Sequence, residues 1–289
     1  MDLRFRLLNV FAIEGDPFSG NPLCVFEDAS ALSDRQMQSW ARQFNLSETT
    51  FVTGVAPSEV SADVRIFTAS YEMPFAGHPT LGTAHVVARG LSGAAGRVDE
   101  LTLSMPAGRI PVRRTRNGWQ LRANPAKVLP LQVSRETVAQ TLGLPVEALA
   151  EGGSSWVDTG VQQLIVQLSD AEAVRACLPS PGLMAQHLTA PGRPPHVYVW
   201  AWTGESSLEA RLFALSGTAL EEDPATGSAC SNLGGWLVSQ GHRDVEIVVS
   251  QGAQVRRPSR LELTLSADGE VLVGGRVHEV GEGVVRTEA

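Results

Sequence analysis

The chain has 289 residues and a mass of 30.8 kDa, a length typical of two domains or one large domain. Hydrophobic residues make up 43% of it and the formal net charge is −8 without a basic patch, which disfavours disorder and excludes nucleic acid as an expected partner. No apolar run approaches the ~20 residues of a membrane helix and no signal peptide is recognisable, so we expect a cytoplasmic protein with no membrane partner.

Alternation of apolar and polar residues predicts strands along the whole chain. In chain order, the strand-like runs are LRFRLLNVF, NPLCVFED, SETTFV, ADVRIFT, LTLSM, QLIVQL, HVYVWAW, ARLFAL, VEIVVS, RLELTL and EVLVGG. Alternating short strands of this kind favour a fold built mainly from sheet.

Four helices are predicted, over residues 33–45, 79–89, 134–142 and 224–240. The second and fourth have marked ends, because each begins with a proline and is followed by a glycine, which is the expected asymmetry of helix termini. His78 and Asp223 then occupy the N-cap positions. Both helices are rich in Gly, Ala, Ser and Thr, which lower helix propensity, so we expect a curved sheet that closes around each of them.

The chain also contains an internal repeat. HPTLGTA at 78–84 matches DPATGSA at 223–229 with an offset of 145, and RIF at 65–67 matches RLF at 211–213 with an offset of 146. A weaker match pairs Gly20, followed by LCVF, with Gly160, followed by QQLIV. Three matches in one order predict two structurally equivalent halves. We place them at 1–125 and 126–289, and allow the last strand to cross back to the first half.

Two residue counts limit the chemistry. The three cysteines, Cys24, Cys177 and Cys230, are widely spaced and form no CxxC pair, which excludes a disulfide framework and a cysteine-built zinc site. Lys127 is the one lysine among 23 basic residues and lies in a proline-bracketed stretch. Because a Schiff base needs a buried lysine amine, catalysis with pyridoxal phosphate is not expected.

The helix starts are the candidate site. A helix N-terminus offers N–H groups without partners and a partial positive charge, which together favour an anion. If the two halves face each other, both starts point into one cleft, where a small carboxylate substrate would bind. The expected donors and flanking groups are Gly77, Gly82, Gly227 and Ser228, with His78 and Asp223 beside them.

Glu48 is the third element, at the beginning of the run SETTFV. A glutamate near a strand end is ordinarily solvated, whereas in a closed cleft desolvation would suit it to general acid–base catalysis.

The motifs SETTFV (47–52), FAGHPTLGTA (75–84) and EDPATGSA (222–229), with GNP at 20–22 and QG near 251, resemble the PhzF-like family of phenazine biosynthesis proteins. The family belongs to the diaminopimelate-epimerase-like superfamily, and the resemblance covers nearly the whole chain. It implies an α+β fold of two pseudo-symmetric domains, each a mainly antiparallel barrel-like sheet around a central helix, and a homodimer. The member that names the family isomerises a dihydro-hydroxy-anthranilate without a cofactor.

The resemblance also implies roles for individual residues. Matched by motif, Glu48 carries the proton, while His78 and Asp223 complete the catalytic set by binding and polarising the substrate. The substrate-binding residues would be Gly77, Thr80, Gly227 and Ser228.

Two departures from the wider pattern stand out. Racemases of the superfamily use a cysteine pair at the two helix starts, so the absence of cysteine at 78 and 223 disfavours two-thiol epimerisation. We interpret Cys230 as a small buried residue. The run VRRPS at 255–259 also lacks the glycine expected before Arg-Pro-Ser.

Together these observations predict an isomerase that uses neither cofactor nor metal and moves a proton within a small cyclic or unsaturated carboxylic acid. The alternative is a small-anion binding protein with an inactive isomerase cleft. Glu48 argues against that alternative, because a carboxylate beside a bound carboxylate is costly unless it is protonated or carries a proton.

Three further alternatives have little support. Serine hydrolysis by Ser228, His78 and Asp223 would lack a G-x-S-x-G elbow. His78 and His85 are seven residues apart, and no histidine pair has the spacing of metal ligands. Neither a GxGxxG run nor a Walker loop is present, which disfavours nucleotide binding.

Overall fold

The structure is a computed structural model that describes residues 1–95, 97–190 and 194–286. The helices in these ranges are α1 (Asp34–Phe44), α2 (Gly77–Ala95), α3 (Arg135–Leu142), α4 (Ala171–Ala176), α5 (Pro181–His187) and α6 (Gly227–Ser239). The strands are β1 (Asp2–Val10), β2 (Asn21–Phe26), β3 (Glu48–Ala56), β4 (Ser61–Phe67), β5 (Glu72–Met73), β6 (Glu100–Met105), β7 (Gly108–Arg114), β8 (Trp119–Arg122), β9 (Lys127–Pro130), β10 (Leu149–Asp158), β11 (Gln162–Leu168), β12 (His196–Gly204), β13 (Ser207–Ser216), β14 (Ala219–Asp223), β15 (Val245–Gln251), β16 (Ser259–Leu265), β17 (Val271–Gly275) and β18 (Val277–Arg286). In the described ranges, no helix combines the length and the apolar character that crossing a bilayer requires.

The chain divides into two compact units. The second unit runs from Ala123 to Val273, and the first contains everything before it together with the segment that begins at Gly274. That segment lies in the first unit because β18 pairs antiparallel with β1 along its whole length. The first unit is therefore built from both ends of the chain.

Both units follow the same succession of elements. In the first, β2 runs parallel to β3, β4 lies antiparallel to β3 and β5, and β6 follows α2 and returns parallel to β4. In the second, β11 runs parallel to β12, β13 lies antiparallel to β12 and β14, and β15 follows α6 and returns parallel to β13. This confirms the prediction of two pseudo-symmetric, mainly antiparallel halves.

A helix lies at the centre of each sheet. Helix α2 contacts β1, β2, β3, β6 and β8, and α6 contacts β9, β10, β11 and β16. Glycines permit this close approach: a Cβ at Gly82 would lie 2.4 Å from Leu23 Cδ2, and one at Gly234 would lie 2.6 Å from Val271 Cγ1. The small residues of the two helices therefore have the packing reason that the sequence predicted.

The structure corrects the predicted starts of these two helices. Helix α2 begins at Gly77, so His78 is its second residue and not its N-cap. Pro79 is still tolerated, since the first turn needs no N–H donors. Helix α6 begins at Gly227 with Thr226 as its N-cap, whereas Asp223 ends β14.

The register of the repeat needs a correction as well. The runs Glu72–Pro74 and Glu222–Pro224 precede their helices by the same number of residues, which gives a structural offset of 150. His78 is therefore equivalent to Ser228, and Asp223 has no polar counterpart in the first unit. The hairpin of β13 and β14 has eight residues between the paired Phe213 and Glu222, against four between Phe67 and Glu72, which is why the upstream match at 146 concealed the shift.

The other two predicted helices are confirmed. Ser33 caps α1 in a capping box with Gln36, and Ser134 caps α3, so both starts carry a strong local signal. Helices α4 and α5 were not predicted, because six and seven residues are too few to form a periodic apolar pattern.

Each unit contains its own arginine–glutamate clamp. Arg65 Nε and Nη2 donate to Glu72 at 2.7 and 2.6 Å, and Arg211 donates in the same way to Glu222 at 3.0 and 2.7 Å. Each guanidinium also lies over the phenylalanine two residues further on, 5.2 and 4.6 Å from the ring centroid. The clamps fix the short strand that leads into each central helix.

The two clamps differ in burial, and this difference gives a testable prediction. The Arg211 and Glu222 side chains are 7% and 11% exposed, against 25% and 30% for Arg65 and Glu72. Glu222→Gln removes the partner of a buried cation, so we expect a loss of about 3 kcal/mol in the free energy of unfolding. Glu72→Gln should cost about 1 kcal/mol, because its partner keeps more water.

The measurement is urea unfolding followed by circular dichroism. The matched control is Glu221→Gln, the exposed neighbour of Glu222, for which we expect a change within about 0.5 kcal/mol. Equal losses for Glu222→Gln and Glu221→Gln would contradict the clamp's role.

Candidate functional site

Glu48 and His78 meet in the first unit. Glu48 is the first residue of β3, and the parallel register with β2 sets it beside Leu23. His78 projects from the first turn of α2. The distance between Glu48 Oε2 and His78 Nε2 is 3.4 Å, and the two side chains are 15% and 6% exposed. Two of the three predicted catalytic residues therefore lie side by side and largely out of water.

The surroundings of His78 set its charge. Burial lowers the pKa of His78 to about 3, opposed in part by a hydrogen bond to the carbonyl of Pro22, so the imidazole is neutral at pH 7. Because Nε2 faces Glu48, the bond to Pro22 is made by Nδ1–H, and Nε2 carries the lone pair. This lone pair therefore faces the Glu48 carboxyl group across the 3.4 Å contact.

The start of α2 also provides donors for an anion. The N–H groups of Gly77 and His78 have no acceptor within the helix, as is usual for a first turn. Thr80 was predicted to bind the substrate. In the structure it is fully buried, and its hydroxyl donates to the Ala76 carbonyl at 2.7 Å. Thr80 therefore completes the first turn of the helix and offers no hydroxyl proton to a ligand.

Asp223 lies in the second unit at the end of β14, next to a loop that is held by side chains from other strands. The Thr226 hydroxyl donates to Asp223 Oδ2. Gln251 Nε2 donates to the Asp223 carbonyl at 2.9 Å and to Thr226 Oγ1 at 3.1 Å, and its Oε1 accepts from the Tyr198 hydroxyl at 3.2 Å. One glutamine therefore fixes the loop between β14 and α6.

The residues after Gln251 allow this contact. Gly252 has φ +81°, and a Cβ there would lie 2.4 Å from the Pro224 carbonyl oxygen, so the QG pair requires its glycine. Arg256 closes the same turn with φ +58°, a conformation that favours glycine. This is the position at which the sequence comparison led us to expect a glycine.

Ser228 stands where His78 stands in the first unit. Its Oγ accepts from Gln163 Nε2 at 3.2 Å. Gln163 Oε1 in turn accepts from Asn232 at 2.8 Å, and Asn232 Oδ1 accepts from the Thr159 amide and hydroxyl at 2.9 and 2.7 Å. The Ser228 oxygen is thus held as an acceptor and its proton remains for an anion, beside the N–H groups of Gly227 and Ser228 itself.

The second unit carries no carboxylate at the position of Glu48. Phe67 and Phe213 are equivalent, because each lies two residues after the arginine of its clamp. Phe67 pairs with Thr49, which follows Glu48, and Phe213 pairs with Val197, which follows His196. His196 therefore occupies the equivalent place, and the candidate proton carrier belongs to the first unit.

The cysteines take no part in either site. All three are free and buried, and burial raises the pKa of the Cys230 thiol. The interpretation of Cys230 as a small buried residue is confirmed.

Three side chains that hold the polar groups of the second unit were not predicted from the sequence: Gln163, Asn232 and Tyr198. Gln251 was recognised only as part of the QG motif, without a role. Each could have been noticed as a polar group within an apolar run. Asn232 is the clearest case, since an asparagine in the middle of a buried helix needs hydrogen-bond partners.

Comparisons with known proteins agree with these observations. The family profile described as "Phenazine biosynthesis-like protein" (PhzC-PhzF) matches residues 8–288. An uncharacterized isomerase of Pasteurella multocida is 37% identical over 96% of this chain and 92% of its own. The trans-2,3-dihydro-3-hydroxyanthranilate isomerase of Pseudomonas aeruginosa is 31% identical over 92% of each chain.

Solved structures share the fold over nearly the whole chain. A PhzF family protein of Bacillus anthracis has a TM-score of 0.84 at 24% identity, over 99% of this chain and 100% of its own. A predicted epimerase of Pseudomonas aeruginosa has a TM-score of 0.77 at 30% identity with the same coverage. A hydroxyproline epimerase of Agrobacterium vitis reaches 0.62 at 10% identity, over 98% and 91%, which shows the fold alone.

The neutral state of His78 predicts how stability depends on pH. The unfolded chain protonates this histidine near its ordinary pKa of 6.5, whereas the folded chain does so only near pH 3. The free energy of unfolding therefore keeps its full value above pH 6.5. As the pH falls from 6.5 towards 3, the titration of His78 lowers it by about 1.4 kcal/mol per pH unit. In His78→Gln, we expect the free energy of unfolding to depend less on pH by about this amount between pH 6 and 4.

Urea titrations at several pH values would measure this slope, with the exposed His242→Gln as the matched control that leaves it unchanged. A slope in His78→Gln equal to that of the unmodified chain would show that His78 is not kept neutral by the fold.

The backbone of Arg256 predicts a stabilising substitution. A residue with a Cβ in the left-handed region costs ~1–2 kcal/mol, which Arg256→Gly removes at the expense of greater entropy in the unfolded chain. We expect a net gain of about 1 kcal/mol in the free energy of unfolding, measured by urea titration. Arg260→Gly, at an exposed position in β16, is the control and should destabilise by up to about 1 kcal/mol. A loss in both variants would contradict this account of the turn.

Proposed function

The chain belongs to the phenazine biosynthesis-like protein family, and on that premise we propose that it is an isomerase that moves a proton within a small cyclic or unsaturated carboxylic acid, without a cofactor. The observation that carries the proposal is the contact between Glu48 and a neutral His78. Such a pair is suited to taking a proton from carbon and giving it back, because the proton can rest on Glu48 between the two steps.

Glu48 acts first as a base. Because Nε2 of the neutral His78 offers a lone pair and no proton, it leaves the Glu48 carboxylate as the group that takes the proton from a C–H bond. When that bond breaks, its electron pair delocalises over the unsaturated system and the substrate's carboxyl group. Nε2 of His78 then accepts a hydrogen bond from the new Glu48 O–H.

Glu48 then acts as an acid. It returns the same proton to a different carbon on the same face of the substrate, and the double bond shifts between the two positions. One C–H bond breaks and one forms, so the reaction needs neither an oxidant nor a reductant. The enzyme is left in its starting protonation state.

The remaining groups bind and orient the substrate in this proposal. Ser228, with its proton unused, and the amides at the start of α6 would hold the carboxylate. Asp223, whose position Gln251 fixes, would accept a hydrogen bond from a hydroxyl or amino substituent. The family resemblance implies that the enzyme works as a homodimer, and its three free cysteines suit the cytoplasm.

The experiment follows proton exchange in heavy water by mass spectrometry. The first substrate is trans-2,3-dihydro-3-hydroxyanthranilate, for which a relative is named, followed by a panel of small unsaturated carboxylates. We expect deuterium at one carbon with the unmodified enzyme, a loss of roughly 10³-fold in Glu48→Gln with binding retained, and an intermediate loss in Glu48→Asp. The exposed Glu59→Gln is the matched control and should keep full activity.

Two outcomes would overturn the proposal. Equal loss of binding and turnover in Glu48→Gln would remove Glu48 as the proton carrier. No deuterium uptake from any carboxylate that binds would favour a small-anion binding protein instead.

A further inference from the structure

A second pocket of the first unit is lined by arginines. It has a volume of about 390 Å³, and its charged or aromatic lining residues are His85, Arg97, Arg114, Arg116, Trp119 and Arg276. His85 follows His78 by seven residues, about 10 Å further along α2. Among the residues that the structure describes, no carboxylate lines the pocket, and none of the lining residues belongs to the site built on Glu48 and His78.

The carboxylates nearby do not balance these charges. Arg97 and Arg114 share Asp99, at 2.7 and 3.3 Å, and Arg276 pairs with Glu14 at 3.1 Å. Arg116 makes no ion pair with any residue in the described ranges.

His85 adds no positive charge. Its hydrogen-bond partner is Glu279, at 3.1 Å, and burial lowers the pKa of His85 below its ordinary value. Glu279 itself pairs with Arg6 and Arg89, which lie outside the pocket. The four guanidinium groups of the pocket and the two carboxylates that pair with them therefore leave about two positive charges without a counterpart, in a chain whose net charge is −8.

One arginine of the pocket is held in place from behind. The Arg114 guanidinium lies 4.4 Å from the ring centroid of Trp119, which is fully buried, and Arg114 Nε also donates to the Val98 carbonyl at 3.3 Å. A planar guanidinium fixed in this way is suited to binding a phosphate or carboxylate group through two hydrogen bonds. Holding it beforehand reduces the entropy lost on binding.

We propose that this pocket binds a small dianion, either a phosphomonoester or a dicarboxylate, at a site separate from the one that carries out the proposed isomerisation. The excess of two positive charges selects a dianion over chloride or a monocarboxylate. The volume of about 390 Å³ fits a compact molecule.

The test is isothermal titration calorimetry of the full chain at low ionic strength, where screening is weak. Sulfate is the first probe because its charge of −2 is constant across neutral pH. We expect one sulfate per chain at the pocket, much weaker binding of chloride, and a loss of about tenfold in affinity in Arg116→Ala. The matched control is Arg35→Ala, an exposed arginine of α1 that lies outside the pocket and should leave the affinity unchanged.

Inorganic phosphate and malonate then distinguish the two sources of the dianion. Tighter binding of phosphate identifies a phosphomonoester site, and tighter binding of malonate identifies a dicarboxylate site; either result supports the proposal. Ser228→Ala should leave the binding of all three dianions unchanged, since Ser228 belongs to the other site.

His85 reports where the anion sits. Glu279 on β18, Arg114 on β7 and Arg89 on α2 are the charged groups that act on its ring. A dianion in the pocket should raise the pKa of His85, which NMR of the histidine rings would follow as a function of pH, with His85→Gln to assign the signal. We expect the rise in the unmodified chain and not in Arg116→Ala.

Three results would overturn the proposal. They are the absence of dianion binding by the unmodified chain, equal affinities in the unmodified chain and Arg116→Ala, and a loss in Ser228→Ala or Arg35→Ala as large as that in Arg116→Ala.

Discussion

Closure of a sheet around a helix that is rich in small residues is the constraint on which the first site depends. The sheet can approach α2 only because Gly82 leaves room for Leu23. That approach removes water from His78 and brings its ring between the Pro22 carbonyl and Glu48. The imidazole stays neutral, its tautomer is set by the backbone, and a lone pair meets the carboxylate. Without the close packing, the same two residues would be a hydrated ion pair of little chemical use.

The second unit uses the same scaffold for a different purpose. Its helix start carries Ser228 where the first unit has His78, and its strand start carries His196 where the first unit has Glu48. A serine held by Gln163 suits the binding of an anion better than the transfer of a proton. The polar residues around Asp223 and Ser228 are fully occupied with one another, which makes this unit rigid at the point where a substrate would be oriented. The two units have the same succession of elements, and different residues at equivalent positions give them different chemistry.

The sequence predicted those elements whose signal is local. Alternation marked eleven of the eighteen described strands, and the caps Ser33 and Ser134 marked two helix starts. The starts of α2 and α6 were misplaced. A proline is tolerated at any position of a first helical turn, so Pro79 does not show which residue begins the helix. Gln251 and Gln163 act on partners 28 and 65 residues away, and no local pattern announces such a contact. Glu48 and His78 were identified by motif, but their contact and the neutral state of the histidine arise from packing alone.

Because β18 pairs with β1, the two units are completed at different stages of translation. The second unit is a continuous segment that is fully translated at Val273, whereas the first unit also needs β18, which follows it in the chain. Until then β1 presents an open edge, and Arg6 lacks the carboxylate of Glu279, 273 residues further on, which it finds only in the finished protein. The nascent chain must keep its N-terminal half from pairing with neighbours while the C-terminal half folds. The pairing of β18 with β1 is therefore the step that completes the first unit, and the chain order places it after translation of the second unit.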